Sequence, residues 1–109
     1  MTNVVAVVIH TDGFRTDLKE INLPAMQDAV GGYVECIALT NMVNVWVNDD
    51  WTGLRSNNGA SLIFQRALYG DVVVTGGVDK EGNTLPLNEV FVKRLAKLFA
   101  KRKTKKGGK

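Results

Sequence analysis

Residues Val4-Val5-Ala6-Val7-Val8-Ile9 are all apolar and nearly all β-branched, which predicts a strand buried on both faces and central in a sheet. Thr11-Asp12-Gly13 is turn chemistry. After it Phe14, Thr16 and Leu18 alternate with Arg15, Asp17 and Lys19, as in a half-buried strand that forms a hairpin with the first. Asn22 can cap a short helix that admits Pro24 in its first turn and places Leu23, Met26 and Val30 on one side. Gly31 is suited to end it. Two strands are expected over residues 33–39 and 42–48, the second with Val43, Val45 and Val47 on one side and Asn44, Trp46 and Asn48 on the other. A loop over residues 49–59 leads to a second helix, with Ala60, Ile63, Phe64 and Ala67 as its apolar face and Gly70 as its end. Residues 71–75 form a fifth strand closed by Gly76-Gly77.

The final element is a helix over about residues 86–102. Leu87, Val90, Phe91, Leu95, Leu98 and Phe99 cover one broad arc, with Lys93, Arg94, Lys97 and Lys101 beside it within roughly 100°. The expected fold is α+β in the order ββαββαβα, with a mixed or antiparallel sheet and helices mainly on one face. A body of residues 1–85 carries the amphipathic basic helix 86–102, followed by a flexible basic arm over residues 103–109.

Charge divides the chain sharply. Residues 1–92 hold all eleven acidic residues and five of the basic ones, whereas residues 93–109 hold nine basic residues and no acid. The net +3 therefore conceals a body of −6 and a tail of +9, an asymmetry that suits an appendage meeting a polyanion. At 109 residues and 45% hydrophobic content the chain fits one globular domain. Cys36 is its only cysteine, so no internal disulfide can form and a reducing cytoplasm is the natural setting. The run 4–9 is too short for a membrane span and lacks the basic start of a signal peptide.

Candidate chemistry is sparse. His10 is the only histidine and has no nucleophile or further ligands clustered with it in sequence; its plain role is that of a strand-end residue beside a turn. Cys36 falls in an apolar strand pattern, where cysteine acts as a small hydrophobe. Asp49-Asp50 would bind Mg²⁺ only with a third carboxylate such as Asp71 or Asp12, and otherwise forms a solvated loop that positions Trp51. Gly76-Gly77 and Ser56-Asn57-Asn58-Gly59 lack the spacing and Lys-Ser/Thr ending of a phosphate loop. If Val43, Val45 and Val47 face the core, Trp46 faces the other way among amides. It is then either a stacking or partner-binding platform or is covered by the C-terminal helix.

Val30-Gly31-Gly32-Tyr33-Val34-Glu35, Asn48-Asp49-Asp50, Gly53-Leu54 with Asn57 and Ala60, and Gly70-Asp71-Val72-Val73-Val74 together carry a resemblance over about residues 4–77. The chain resembles the uncharacterised family catalogued as domain of unknown function 3846, with the helix after Leu85 outside the recognised pattern. The resemblance implies a small α+β domain in a bacteriophage or mobile element, acting in the cytoplasm of an infected bacterial host. It implies no activity, cofactor or catalytic residue.

The expectation is thus a non-enzymatic accessory protein, without cofactor or metal, that binds DNA or RNA non-specifically. Lys93, Arg94, Lys97, Lys101 and Arg102 would contact phosphates from the helix, and Lys103, Lys105 and Lys106 from the arm. A cleft uniting His10, Asp49 and Asp71 would overturn the expectation against catalysis. The alternative is a protein-interaction module that inhibits or redirects a host factor, anchored by Tyr33, Trp46 and Trp51. Body-to-tail attraction also permits homo-oligomers, and a nucleotide-sequestering role is a further, thinner option.

Overall fold

The structure, a computed structural model, describes residues 3–102. Five strands form one sheet: β1 (Ala6–Ile9), β2 (Arg15–Leu18), β3 (Val34–Thr40), β4 (Val43–Asn48) and β5 (Val72–Thr75). Their spatial order is β2-β1-β5-β4-β3 and every neighbouring pair is antiparallel. Three helices, α1 (Leu23–Val30), α2 (Asn58–Phe64) and α3 (Glu89–Leu98), complete the expected ββαββαβα order.

The last strand in sequence is inserted at the centre. β5 pairs with β1 through Ile9↔Val72 and Val7↔Val74, and with β4 through Val45↔Val74. Every residue of β1 and β5 is buried, which is why β1 reads as an unbroken apolar run and β5 as three valines before Thr75 rather than as alternating strands. Val7, Ile9, Val45, Val72 and Val74 pack against Ala60 of α2 and Val92 and Leu95 of α3. Ala6, Val8 and Val73 pack on the opposite face against Met26 and Val30 of α1. Two helices therefore lie on one face of the sheet and one on the other.

Local signals set the helix ends. The Asn22 side chain accepts from Ala25 N–H at 2.8 Å, and Gly31 closes α1 at φ 81°. α2 starts earlier than its periodicity implies, capped by the Asn57 side chain, and stops at Phe64 because Gln65 turns left-handed at φ 56°. Ala67 consequently lies exposed and Leu68 takes the buried place expected of it.

α3 ends at Leu98, short of the expected Arg102. A long-range contact outweighs the continuing helical period. Arg15 Nη1 donates to the Phe99 carbonyl at 2.5 Å, Arg15 N–H to that of Ala100 at 2.9 Å, and Arg102 N–H to that of Arg15 at 2.7 Å. The chain after Phe99 is thus drawn out along the free edge of β2, forming a parallel bridge between Arg15 and Lys101. The buried arc of this region also shifts: Leu87, Val92, Leu95 and Phe99 are in the core, whereas Val90 and Leu98 are exposed.

Candidate functional site

On the solvent face of α3, Lys93, Arg94 and Lys97 are all exposed. Lys93 reaches Glu89 at 4.0 Å, a water-exposed pair of little energetic weight. Among the described residues Arg94 and Lys97 have no ion-pair partner. Lys101 and Arg102 are not on the helix. They sit on the extended segment beside β2, where Lys101 approaches Asp17 at 3.9 Å and Arg102 donates to Asp12 at 2.7 Å. Lys103, Lys105 and Lys106 lie outside the described residues.

The three aromatic candidates separate. Tyr33 and Trp51 are exposed, and Trp51 stacks on Tyr69 with ring centroids 5.2 Å apart. Trp46 is half-buried against the α1 cluster and donates from Nε1 to Thr75 Oγ1 at 2.8 Å. It packs against α1, not under the C-terminal helix, and is only partly exposed. Cys36 is exposed on the edge strand β3 rather than buried, and partial burial of its thiol pushes the pKa up, away from the reactive thiolate. Asp50 accepts from Thr52 N–H, and no group of three or more His, Cys, Asp or Glu among the described residues is placed to hold a metal ion.

A polar cluster that the sequence did not bring together lies at the ends of β1, β2 and β5. Ile9 pairs with Val72, so the next residues outward, His10 and Asp71, meet across the sheet. The hairpin pairing Val8↔Thr16 brings Thr16 to the same place. His10 is only 8% exposed; its Nδ1 lies 2.7 Å from Asp71 Oδ2 and its Nε2 2.6 Å from Thr16 Oγ1. The other Asp71 oxygen accepts from Thr11 N–H at 3.0 Å.

Burial opposes the charge on Asp71. Hydrogen bonds from His10 and Thr11, with the nearby guanidinium of Arg102, outweigh it and hold the carboxyl below its ordinary range. An ionised Asp71 accepts a hydrogen bond from Nδ1–H, which assigns the tautomer and leaves Nε2 as the acceptor for the Thr16 hydroxyl.

The depressed Asp71 pKa carries a stability consequence. Its contribution is fully present above the ordinary value of 3.8 and is lost as pH falls through the lower folded value. In urea unfolding, the stability gap between the wild type and Asp71→Asn should be largest at neutral pH and shrink on acidification below 3.8. A gap independent of pH would contradict this assignment.

The cluster opens on a cavity of about 380 Å³. Its apolar walls are Val8 and Leu18 of the sheet and Ala25 and Ala29 of α1, and the small alanines leave the space above His10 and Thr16 unfilled. The exposed side chains of Asp28 and Arg102 border it. His10 and Asp71 thus come together, but Asp49 belongs to a different surface, beside Tyr33 and Asn48.

Residues 1–100 match the family model described as domain of unknown function 3846. The match extends past the stretch on which the resemblance rests and takes in α3, so the basic helix is part of the family's domain rather than an addition to it. No curated protein and no solved structure matches the chain.

Proposed function

Because the chain belongs to the family of domain of unknown function 3846, for which no activity is established, we propose a function from its own residues: non-specific nucleic-acid binding through the basic C-terminal region. The protein would act as an accessory factor of a phage or mobile element in the bacterial cytoplasm. The observation that carries this reading is the exposed trio Lys93, Arg94 and Lys97 on α3, which leads into an acid-free basic terminus. Charge is the whole of the recognition, since phosphate contacts position a protein without reading sequence.

The structure divides the basic residues by how freely they can act. Arg94 and Lys97 are available at once, and Lys93 only has to leave a solvent-exposed pair. Lys101 and Arg102 are already neutralised in part by Asp17 and Asp12, so a polyanion must compete for them. No helix among the described residues is long and apolar enough to cross a membrane.

Truncation after Val92 is a poor test, because it removes Leu95 and Phe99, which complete the core. Substituting Lys93, Arg94 and Lys97 together by Gln should leave the fold intact, because all three side chains are exposed. Binding to labelled DNA and RNA should weaken across all sequences, and the dependence of log affinity on log salt should flatten by roughly two to three units. An unchanged salt slope would refute the role of α3.

The alternative, a protein-interaction module, is favoured by a single observation: the large exposed aromatics Tyr33 and Trp51. A partner that survives nuclease treatment and is lost on Trp51→Ala would favour it. Bound species that all vanish with nuclease leave the nucleic-acid reading alone.

A further inference from the structure

We propose that Thr16, His10 and Asp71 form an acyl-transfer site that hydrolyses small carboxylic esters with a short apolar acyl group, a second function that uses none of Lys93, Arg94 and Lys97 on α3. The expectation against catalysis rested on the absence of any constellation in the sequence. The sheet order removes that ground by joining three residues from separate strand ends.

The geometry has the three parts that nucleophilic catalysis needs. Thr16 Oγ1 lies 2.6 Å from a base, His10 Nε2, and the base is oriented from its other nitrogen by Asp71 Oδ2 at 2.7 Å. Asp71 is itself fixed by Thr11 N–H, so the imidazole is held in one plane and one tautomer. All three residues line one cavity, whose volume of about 380 Å³ suits a small molecule. The walls Val8, Leu18, Ala25 and Ala29 are apolar and suit a short hydrocarbon chain, with the charged Asp28 and Arg102 side chains at the border. Arg102, anchored by Asp12, also lines the cavity, and its guanidinium can stabilise negative charge on the reacting oxygen.

The chemistry closes with water as the only co-reactant. Thr16 Oγ attacks the ester carbonyl carbon while its proton moves to His10 Nε2, giving a tetrahedral oxyanion. The bond to the leaving oxygen then breaks, that oxygen takes the proton from His10, and alcohol departs from acyl-Thr16. A water molecule next gives a proton to His10 and attacks the acyl carbon. Cleavage of the bond to Thr16 Oγ, with return of the proton, releases the carboxylic acid and restores the hydroxyl. Asp71 keeps its charge throughout and is a positioning residue, whereas Thr16 and His10 are catalytic.

The test uses the full chain with p-nitrophenyl butyrate, followed by release of p-nitrophenol and by intact-mass and peptide analysis. The wild type should hydrolyse the ester faster than buffer and acquire one butyryl group on Thr16. A fluorophosphonate should label the same residue, a measurement that requires no variant to fold. Thr16→Ala should lose hydrolysis and labelling, while Thr16→Ser should keep both. Asp71→Asn should lower kcat by at least about 100-fold with little change in KM, because it misorients the base without altering the walls. Hydrolysis no faster than buffer, a Thr16→Ala protein as active as wild type, or an adduct mapping elsewhere would each overturn the proposal.

Discussion

Replacing Asn57 by Ala should lower the unfolding free energy by about 3 kcal/mol, although the residue touches no exposed surface and makes no ion pair. Asn57 is 0% exposed. Its Nδ2 donates to the carbonyls of Ile9 and Gly70, both at 2.9 Å, and its Oδ1 accepts from Ala60 N–H at 3.1 Å as the cap of α2. Alanine removes all three bonds; the Ile9 carbonyl keeps its ladder partner Val72, but the Gly70 carbonyl and the Ala60 N–H lose the Asn57 side chain in the dry interior. An unsatisfied buried group costs about 1–3 kcal/mol, and a lost cap alone about 1 kcal/mol. Partial relaxation keeps the total below the simple sum. Ile9 directly precedes His10 and Gly70 directly precedes Asp71, so one side chain clasps the two strand ends that present the polar cluster. Urea unfolding of Asn57→Ala checks the figure; a loss below about 1 kcal/mol would show that water or a local shift replaces the missing bonds.

Asn57 also marks the limit of what the sequence discloses. It belongs to one of the short motifs that carry the family resemblance, but nothing local reveals that it ties the ends of β1 and β5. Features governed by near neighbours are legible: the Asn22 cap, the Gly31 terminus, the alternation of β4 and the valine-rich centre of the sheet. Features governed by distant pairing are not. The placement of β5 between β1 and β4 couples His10 to Asp71 across 61 positions, and no periodicity encodes it. Half of the cluster was within reach, since the β1–β2 hairpin that pairs Val8 with Thr16 follows from the turn at Asp12-Gly13. The end of α3 fails for the same reason. The period continues to Arg102, but Arg15 offers the main chain hydrogen bonds that only an extended segment can accept. Trp46 shows the complementary error, with its face assigned correctly and the helix that covers it misidentified. The charge division was visible because it needs no geometry; the loss of Lys101 and Arg102 from the helix was not.

Gly77→Ala should be still more damaging than its single added methyl group suggests, at roughly 3 kcal/mol or more, with a Tm fall of over about 10 °C. A Cβ at Gly77 would be driven into the carbonyl oxygen of Asn41 and would also lie 3.1 Å from that residue's carbonyl carbon. These are main-chain atoms of the β3–β4 turn, so no rotamer change relieves the clash. The opposite side is equally constrained: Gly76 N–H donates to Leu85 O at 2.9 Å, Leu85 N–H donates to Gly77 O at 2.8 Å, and a Cβ on Gly76 would meet the Pro86 carbonyl. The pair of glycines is therefore pressed between the β3–β4 turn and the strand-like approach to α3. Pushing either wall outward displaces Leu87, whose N–H bonds to Val5 O at 2.8 Å, and with it the helix that contributes Val92 and Leu95 to the core. Gly82→Ala provides the control. Gly82 has φ +85° but nothing within 4 Å of its would-be Cβ, so substitution there should cost only about 1 kcal/mol of backbone strain. Thermal unfolding of the two variants side by side separates crowding from strain. If Gly77→Ala is no less stable than Gly82→Ala, the β3–β4 turn can yield, and the glycine pair is a matter of chain flexibility rather than of close main-chain approach.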